Sequence, residues 1–308
     1  MSADILVSIT MTIVAASTPL LLAALGELVA EKSGVLNLGV EGMMLLGAVS
    51  AAIVALSSGS LLLALIAAAA AAAVGALIFG VLTLSLTANQ VATGLALTNF
   101  GIGVSSLGGA GFVGRPIERL PSIFPAALSG HPWMRVLFGY DALVYLSLAL
   151  TAAVAWFLNR TRAGLVLRAV GEADHSAHAL GYPVIRVRYL AVLFGGAMAG
   201  LAGAYFSLSL TPMWAERMTA GRGWIALALV VFSAWKPGRL FAGAYLFGAM
   251  MIFELQAKAM GLNFVAPEAL ACLPYVATIV VLTLISLSRK KASFSAPARL
   301  GKPFRATA

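Results

Sequence analysis

Asn37 and Glu41 stand four residues apart in GELVAEKSGVLNLGVEGMMLLGA, the stretch from 26 to 48. On a helix that spacing puts both on one face. An amide and a carboxylate together offer a donor, acceptors and a negative charge to a polar solute. The same two side chains can instead bond to a neighbouring helix and only fix packing. The stretch also carries Glu27, Glu31, Lys32 and five glycines (Gly26, Gly34, Gly39, Gly42 and Gly47), and it lies between two strongly apolar segments. Ionisable groups at membrane depth are costly and normally line an interior or a water-filled path, and glycine lets the chain unwind or pack closely there. The stretch is therefore a candidate wall of a substrate path. Glu27 and Glu31, one turn apart, read as wet residues at its edge.

Three further stretches carry polar groups. Asn89-Gln90-Val-Ala-Thr93-Gly94 is followed by Thr98-Asn99, so a helix here exposes a seam of Gln90, Thr93 and Thr98 or Asn99. Uncharged amides and hydroxyls suit a ribose or a base more than an ion, and hydrogen bonding between helices, worth about 1 kcal/mol or less each, is the alternative use. Met218-Thr219-Ala-Gly221-Arg222-Gly223-Trp224 opens a short apolar run, Ile225 to Trp235. Its counterpart is Gly34–Glu41 running into Met43–Ala55. Paired interruptions in the two halves of a transporter point to a binding site at an inverted-repeat interface. Thr219 joins the pathway candidates on that ground, while Arg222 reads as wet at the outer interface. The third stretch, Thr161–Arg188, is too polar to be embedded. Within it Glu172–Leu180 reads as one short helix, stopped by Gly181 and Pro183, of the kind that seats in another protein's groove. His175 and His178 have no third ligand nearby and read as surface side chains.

The elements that must position these groups follow from composition. Of 308 residues, 61% are hydrophobic and 10% charged, against roughly a quarter charged in a soluble domain. Apolar runs fall near 5–25, 35–57, 61–86, 89–109, 141–159, 189–210, 221–235, 240–260 and 267–288. Runs of about 20 residues predict helices rather than barrel strands. The fold class is thus all-α, a polytopic membrane protein of nine to ten crossings with broken helices. Residues 1–288 form one transmembrane domain, with an external loop at 110–140 and a cytoplasmic loop at 160–188, and 289–308 form a basic cytoplasmic tail. The residues from 61 to 86, nearly all Ala, Leu and Val, serve helix packing.

The net charge of +9 reflects topology, not nucleic-acid binding. Arg160, Arg162, Arg168, Arg186 and Arg188 flank one loop, Lys236 and Arg239 bracket a turn, and Arg289, Lys290, Lys291, Arg299, Lys302 and Arg305 fill the tail. This is the positive-inside pattern, with the C-terminus cytoplasmic. Nine crossings put Met1 outside; an extra pass within the opening stretch would make ten and put it inside. The N-terminus has neither a basic region nor a small-residue cleavage site, so no signal peptide is expected. The single cysteine, Cys272, excludes a disulfide framework and reads as a buried core residue. No GxxxxGK[ST], HExxH or GxSxG is present, so the chain is read as neither an ATPase nor a hydrolase. No metal or cofactor is implied.

The residues EKSGVLNLGVEGMMLLGA (31–48) closely resemble a hallmark of ABC-transporter permeases of the branched-chain amino acid and simple-sugar superfamily. SGVLNLGVEGMM is similar to the nucleoside-uptake branch. NQVATGLALTNFG (89–101), RAGLVLRAVGEADHSAHALGYPV (162–184) and MTAGRGWIALALVVFSAWKPGRLFAGAYLFG (218–248) fit the same family in the same order. The resemblance implies the permease subunit of a bacterial inner-membrane importer carrying a nucleoside, or else a simple sugar or branched-chain amino acid. It implies as partners a cytoplasmic ATPase, a second homologous permease, an external solute-binding protein or lipoprotein, and membrane lipid. It assigns the ATPase contact to Gly171, Glu172, Asp174, Ala177 and Gly181. Glu172-Ala173-Asp174-His175 departs from the Glu-Asn-Pro-like residues frequent there. An ion-coupled secondary transporter using Glu41, or a passive channel, are the other functions weighed; the arginine-flanked loop favours an ATPase partner.

Overall fold

The computed structural model describes residues 3–125, 132–259 and 296–305, with 276, 279, 280 and 283 as single positions between. Apart from those four positions, the predicted span 267–288 lies outside the described residues, as do the basic residues 289–291 and Cys272. Among those described, the chain is helical, with three isolated bridge pairs and no strand. The helices are α1 (Ala3–Lys32), α2 (Val40–Ser58), α3 (Leu61–Gly80), α4 (Gln90–Gly109), α5 (Pro132–Phe138), α6 (Ala142–Arg160), α7 (Arg162–Glu172), α8 (Asp174–Ala179), α9 (Val184–Tyr205), α10 (Arg222–Phe232) and α11 (Pro237–Ala259). Seven of them are long and apolar enough to cross a membrane, and α10 is shorter.

Each described span sits where the apolar runs predict it, because in lipid only a helix satisfies all its own backbone groups. The stretch 26–48 adds no pass of its own. It is the end of α1, an irregular turn at 33–39 and the start of α2. Helices α3 and α9 each end in a π-helical turn, Val81–Ser85 and Phe206–Leu210, where Leu86 donates to Val81 and Thr211 to Phe206 across five residues.

Packing is built on small residues around a buried α9. On α3, Ala64, Ala68, Ala72 and Ala76 recur every fourth residue and are fully buried, while Leu62, Ile66 and Leu77 face outward. Gly80 abuts Tyr189, whereas Gly200 lies against Ala68 and Ala72, so α3 and α9 run antiparallel. Helix α1 is antiparallel to α9 as well, with Gly26 against Met198 and Gly195. These directions gather Lys32–Gly34, α7, α8, the start of α9 and residues 296–305 at one end of the bundle. Part of the 110–140 loop lies at the other end, where Gly114 donates to Trp214, Ile117 to Pro212 and Leu120 to Leu208.

Several crossings are close enough to require glycine, among them α2 against α9 and α2 against α4. A Cβ at Gly47 would lie 2.5 Å from the Gly200 Cα, and one at Gly101 would lie 2.6 Å from the Gly42 Cα. Both would press on backbone, which cannot rotate away. Gly47→Ala and Gly101→Ala are each expected to cost about 1–3 kcal/mol by overpacking, read as a lower melting temperature in detergent. Gly108→Ala, with nothing within 4 Å of the added Cβ, is expected to leave the melting temperature unchanged or slightly raised.

Candidate functional site

The turn at 33–39 is irregular backbone buried inside the bundle, with Ser33, Val35 and Asn37 all enclosed. At membrane depth such backbone persists only where protein groups satisfy it. Side chains from α1 and α4 do so here. Glu27 of α1 accepts the Asn37 N–H at 3.0 Å, and Gln90 of α4 accepts the Leu36 N–H at 2.8 Å. The Thr98 hydroxyl donates to the Leu38 carbonyl at 3.0 Å. Asn37 closes the turn itself, its Oδ1 accepting from Gly39 N at 2.9 Å while its Nδ2 faces the Met43 sulfur at 3.5 Å.

Glu41, one residue into α2, reaches the other broken segment. Its Oε1 accepts from the Thr219 hydroxyl at 2.6 Å and from Gly221 N at 2.8 Å, and its Oε2 accepts from Gly223 N at 2.6 Å. The carboxylate therefore sits at the N-terminus of α10, where the helix dipole favours negative charge. The two Gly-rich openings paired by sequence are thus joined by one side chain. The backbone around the second is strained: Arg217 and Ala220 have φ of 53° and 48°, and Ala234 and Trp235, just past α10, have 50° and 56°. Left-handed non-glycine residues cost on the order of 1–3 kcal/mol each and cluster where structure over-determines them.

Of the pathway candidates, the structure brings Asn37, Glu41, Gln90, Thr98 and Thr219 into this buried network. It does not bring in Asn99, which is exposed on α4 and donates back to Leu95 O at 3.2 Å. Most of the network's capacity is used internally. The exception is Gln90: its Nε2 is buried and has no partner among the described residues.

Two expectations for acidic residues are corrected. Glu27 and Glu31 are not wet; each is 1% exposed. Glu27 fixes the turn at Asn37, and Glu31 accepts from the Trp235 indole N–H, tying the end of α1 to the end of α10. Their i, i+4 spacing was the available signal, since it puts both acids on one face of a helix that sequence alone could not orient. Arg222 is likewise half-buried, its guanidinium 4.8 Å above the Phe206 ring and its Nη1 3.4 Å from Met218 O.

At the α7–α8 end the predicted single helix Glu172–Leu180 is two pieces, interrupted at Ala173 (φ −147°, ψ 73°). The break turns Asp174 inward, where it is 1% exposed beside the equally buried Arg188, whose Nη2 lies 3.1 Å from Asp174 Oδ2. Ala177 is buried, and Glu172 is exposed. Gly171 packs its Cα against Lys32 and Gly34. Gly181, at φ +87°, ends α8 as its N–H bonds to His178 O and Tyr182 N bonds to Ala177 O. Leu180 projects beyond, 78% exposed. Arg188 Nε also donates to Ser33 O at 3.1 Å. One arginine therefore connects α8 to the turn that holds Asn37. Among the described residues no cluster of three metal-ligating side chains occurs.

A bundle of lipid-length helices, a buried irregular turn lined by amides and hydroxyls, and a polar helical loop tied to that turn define a membrane permease. The chain belongs to the family described as branched-chain amino acid transport system / permease component, whose profile matches residues 9–285. It is similar to the putative glucose ABC transporter permease protein TsgC13 of Haloferax volcanii, at 38% identity over 93% of this chain and 94% of the relative. It is also similar to the guanosine ABC transporter permease protein NupQ of Bacillus subtilis, at 30% identity over 87% and 88%. The nucleoside ABC transporter permease protein NupC of Lactococcus lactis matches at 29% over 87% and 89%. The chain is a transport subunit of this family, not itself an enzyme.

Replacing Glu41 tests the bridge between the two openings. Glu41→Ala strands three buried donors, each worth about 1–3 kcal/mol when unsatisfied, and is expected to lower the detergent melting temperature sharply. Glu41→Gln keeps acceptor capacity and is expected to fall between that variant and the parent in the same melt.

Proposed function

We propose that this chain carries a nucleoside, or a related small polar solute, across the cell membrane into the cytoplasm, driven by a separate ATPase. The observation that carries this reading is the free Nε2 of Gln90. It is a buried amide donor beside an irregular turn, in a network whose other members are mostly saturated. A neutral solute rich in hydroxyls and ring nitrogens can accept from such a group without bringing a charge to membrane depth. The named relatives support the same solute range, since two carry nucleoside or guanosine in their names.

In this reading the α7–α8 end faces the cytoplasm and docks an ATPase, with Gly171, Glu172, Asp174, Ala177 and Gly181 shaping the contact. Movement of α8 passes through Asp174 and Arg188 to Ser33. From there it reaches Asn37 and Glu41, and through Glu41 the start of α10. Alternating access would be a shift of these two openings against each other. A second homologous permease would complete the bundle, and an external binding protein or lipoprotein would deliver the solute. A simple sugar is the second reading, favoured by the 38% identity to the protein named for glucose.

Uptake of radiolabelled guanosine by the reconstituted set, competed with other nucleosides, glucose and leucine, decides between them. Competition by nucleosides is expected; competition by glucose alone would establish the sugar reading, and by leucine alone would overturn both. Gln90→Met keeps the side-chain length but removes both the amide donor and the oxygen that accepts the Leu36 N–H. It is expected to weaken apparent solute affinity about tenfold, the loss of one hydrogen bond to a desolvated partner, and to lower the detergent melting temperature through the stranded Leu36 N–H.

A further inference from the structure

Residues 296–305 read in sequence as part of a basic tail, yet several of their polar groups are engaged at the α7–α8 end. Arg299 N donates to Gly171 O at 3.0 Å, and Gly301 N donates to Gly34 O at 3.1 Å. Ala298 N donates to a Glu172 carboxylate oxygen at 3.3 Å, and Lys302 O accepts from Arg188 Nη1 at 3.4 Å. The Arg299 guanidinium stands 2.7 Å from Asp174 Oδ1, opposite the oxygen held by Arg188. Phe304 is buried against Val170, Ala177 and Val184, with the His175 and His178 rings at 5.3 and 5.5 Å. Arg305 reaches Thr87, in the connection between α3 and α4, at 3.2 Å.

We infer that 296–305 is a clasp forming part of the ATPase-coupling surface, with Arg299 as a positioning residue that acts through Asp174. Helix α8 has six residues, far below the roughly 12–15 at which an isolated helix becomes even marginal in water. It holds its place through tertiary contacts, and those contacts are few. Asp174 anchors it by charge and Ala177 by burial. The clasp supplies half of the first anchor and, through Phe304, a cover for the second. It also provides a second route to the buried turn. Arg299 grips Asp174, and two residues on, Gly301 grips Gly34, so a push on α8 reaches the turn through the clasp as well as through Arg188. Without the clasp α8 would yield under a partner's force instead of passing it on.

This inference rests on the coupling role proposed above, and its test separates the two. The permease is assembled with its ATPase and permease partners in proteoliposomes, and solute uptake is measured per ATP hydrolysed. If the parent chain shows no ATP-dependent uptake, the proposed function fails. If the parent is active, Arg299→Ala and Phe304→Ala are each expected to co-purify with the ATPase and sustain hydrolysis. Their uptake per ATP is expected to fall about tenfold, equivalent to roughly 1.4 kcal/mol. Arg299→Lys, which keeps a cation near Asp174 but loses the planar fork, is expected to recover part of the ratio. A parental ratio in both Arg299→Ala and Phe304→Ala overturns the clasp. Should Arg299→Ala fail to assemble, parental ratios in Arg299→Lys and Phe304→Ala overturn it equally.

Discussion

The carboxylate of Glu41 accepts from one hydroxyl and two backbone N–H groups of the segment that opens α10. Much of the interior depends on this bond set. Helix α10 is only 11 residues long, and its N-terminus abuts Glu41 of α2, with Thr219 and Gly223 buried there. A helix N-terminus leaves four N–H donors without a partner inside the helix, and in hydrocarbon each unsatisfied group is costly. The carboxylate meets Gly221 N and Gly223 N, Arg222 N and Trp224 N bond to Thr219 O and Gly221 O, and the acid fixes where α10 begins relative to α2. The same anchoring accounts for the left-handed backbone at Arg217 and Ala220. The chain has to bend sharply to present Thr219, Gly221 and Gly223 to one acid.

The turn at 33–39 obeys the same constraint by other means. Its backbone is met by Glu27, Gln90, Thr98 and Arg188, drawn from α1, α4 and α9. Polar side chains inside a permease thus do two jobs. They complete irregular backbone, and under the proposed function the capacity that remains would meet the solute. Counting polar residues therefore overstates a pathway. Counting unsatisfied atoms reduces it to few, and Gln90 Nε2 is the one this network leaves over.

The membrane spans were legible because their signal is length and apolarity, which the bilayer imposes on each helix separately. The two Gly-rich openings were legible for the converse reason, as polar breaks that an apolar span would not otherwise carry. Burial of Glu27 and Glu31 was not legible. Whether an acid four residues from another faces water or protein depends on which helix packs over it, and here Trp235 comes from over two hundred residues away. Asn99 lies outside the network for a similar reason, since the face of α4 that α2 covers is chosen by the Gly42–Gly101 crossing. The break at Ala173 was hidden because alanine favours helix locally, and the buried ion pairs of Asp174 override that preference.

The basic residues show how one sequence signal can conceal another. An excess of arginine and lysine at one end of a bundle is expected from insertion alone, and that explanation needs no contacts. Yet Arg188 and Arg299 are held within 3.1 Å and 2.7 Å of opposite oxygens of Asp174. A buried carboxylate is tolerated when it is paired and hydrogen-bonded; Arg188 donates to one oxygen of Asp174, and the Arg299 guanidinium is ion-paired with the other. Topological charge and structural charge therefore coincide at this end of the molecule. The arginines gathered where the polar loops must be held thus fix a short helix such as α8 by charge, beside the small apolar cluster of Val170, Ala177, Val184 and Phe304.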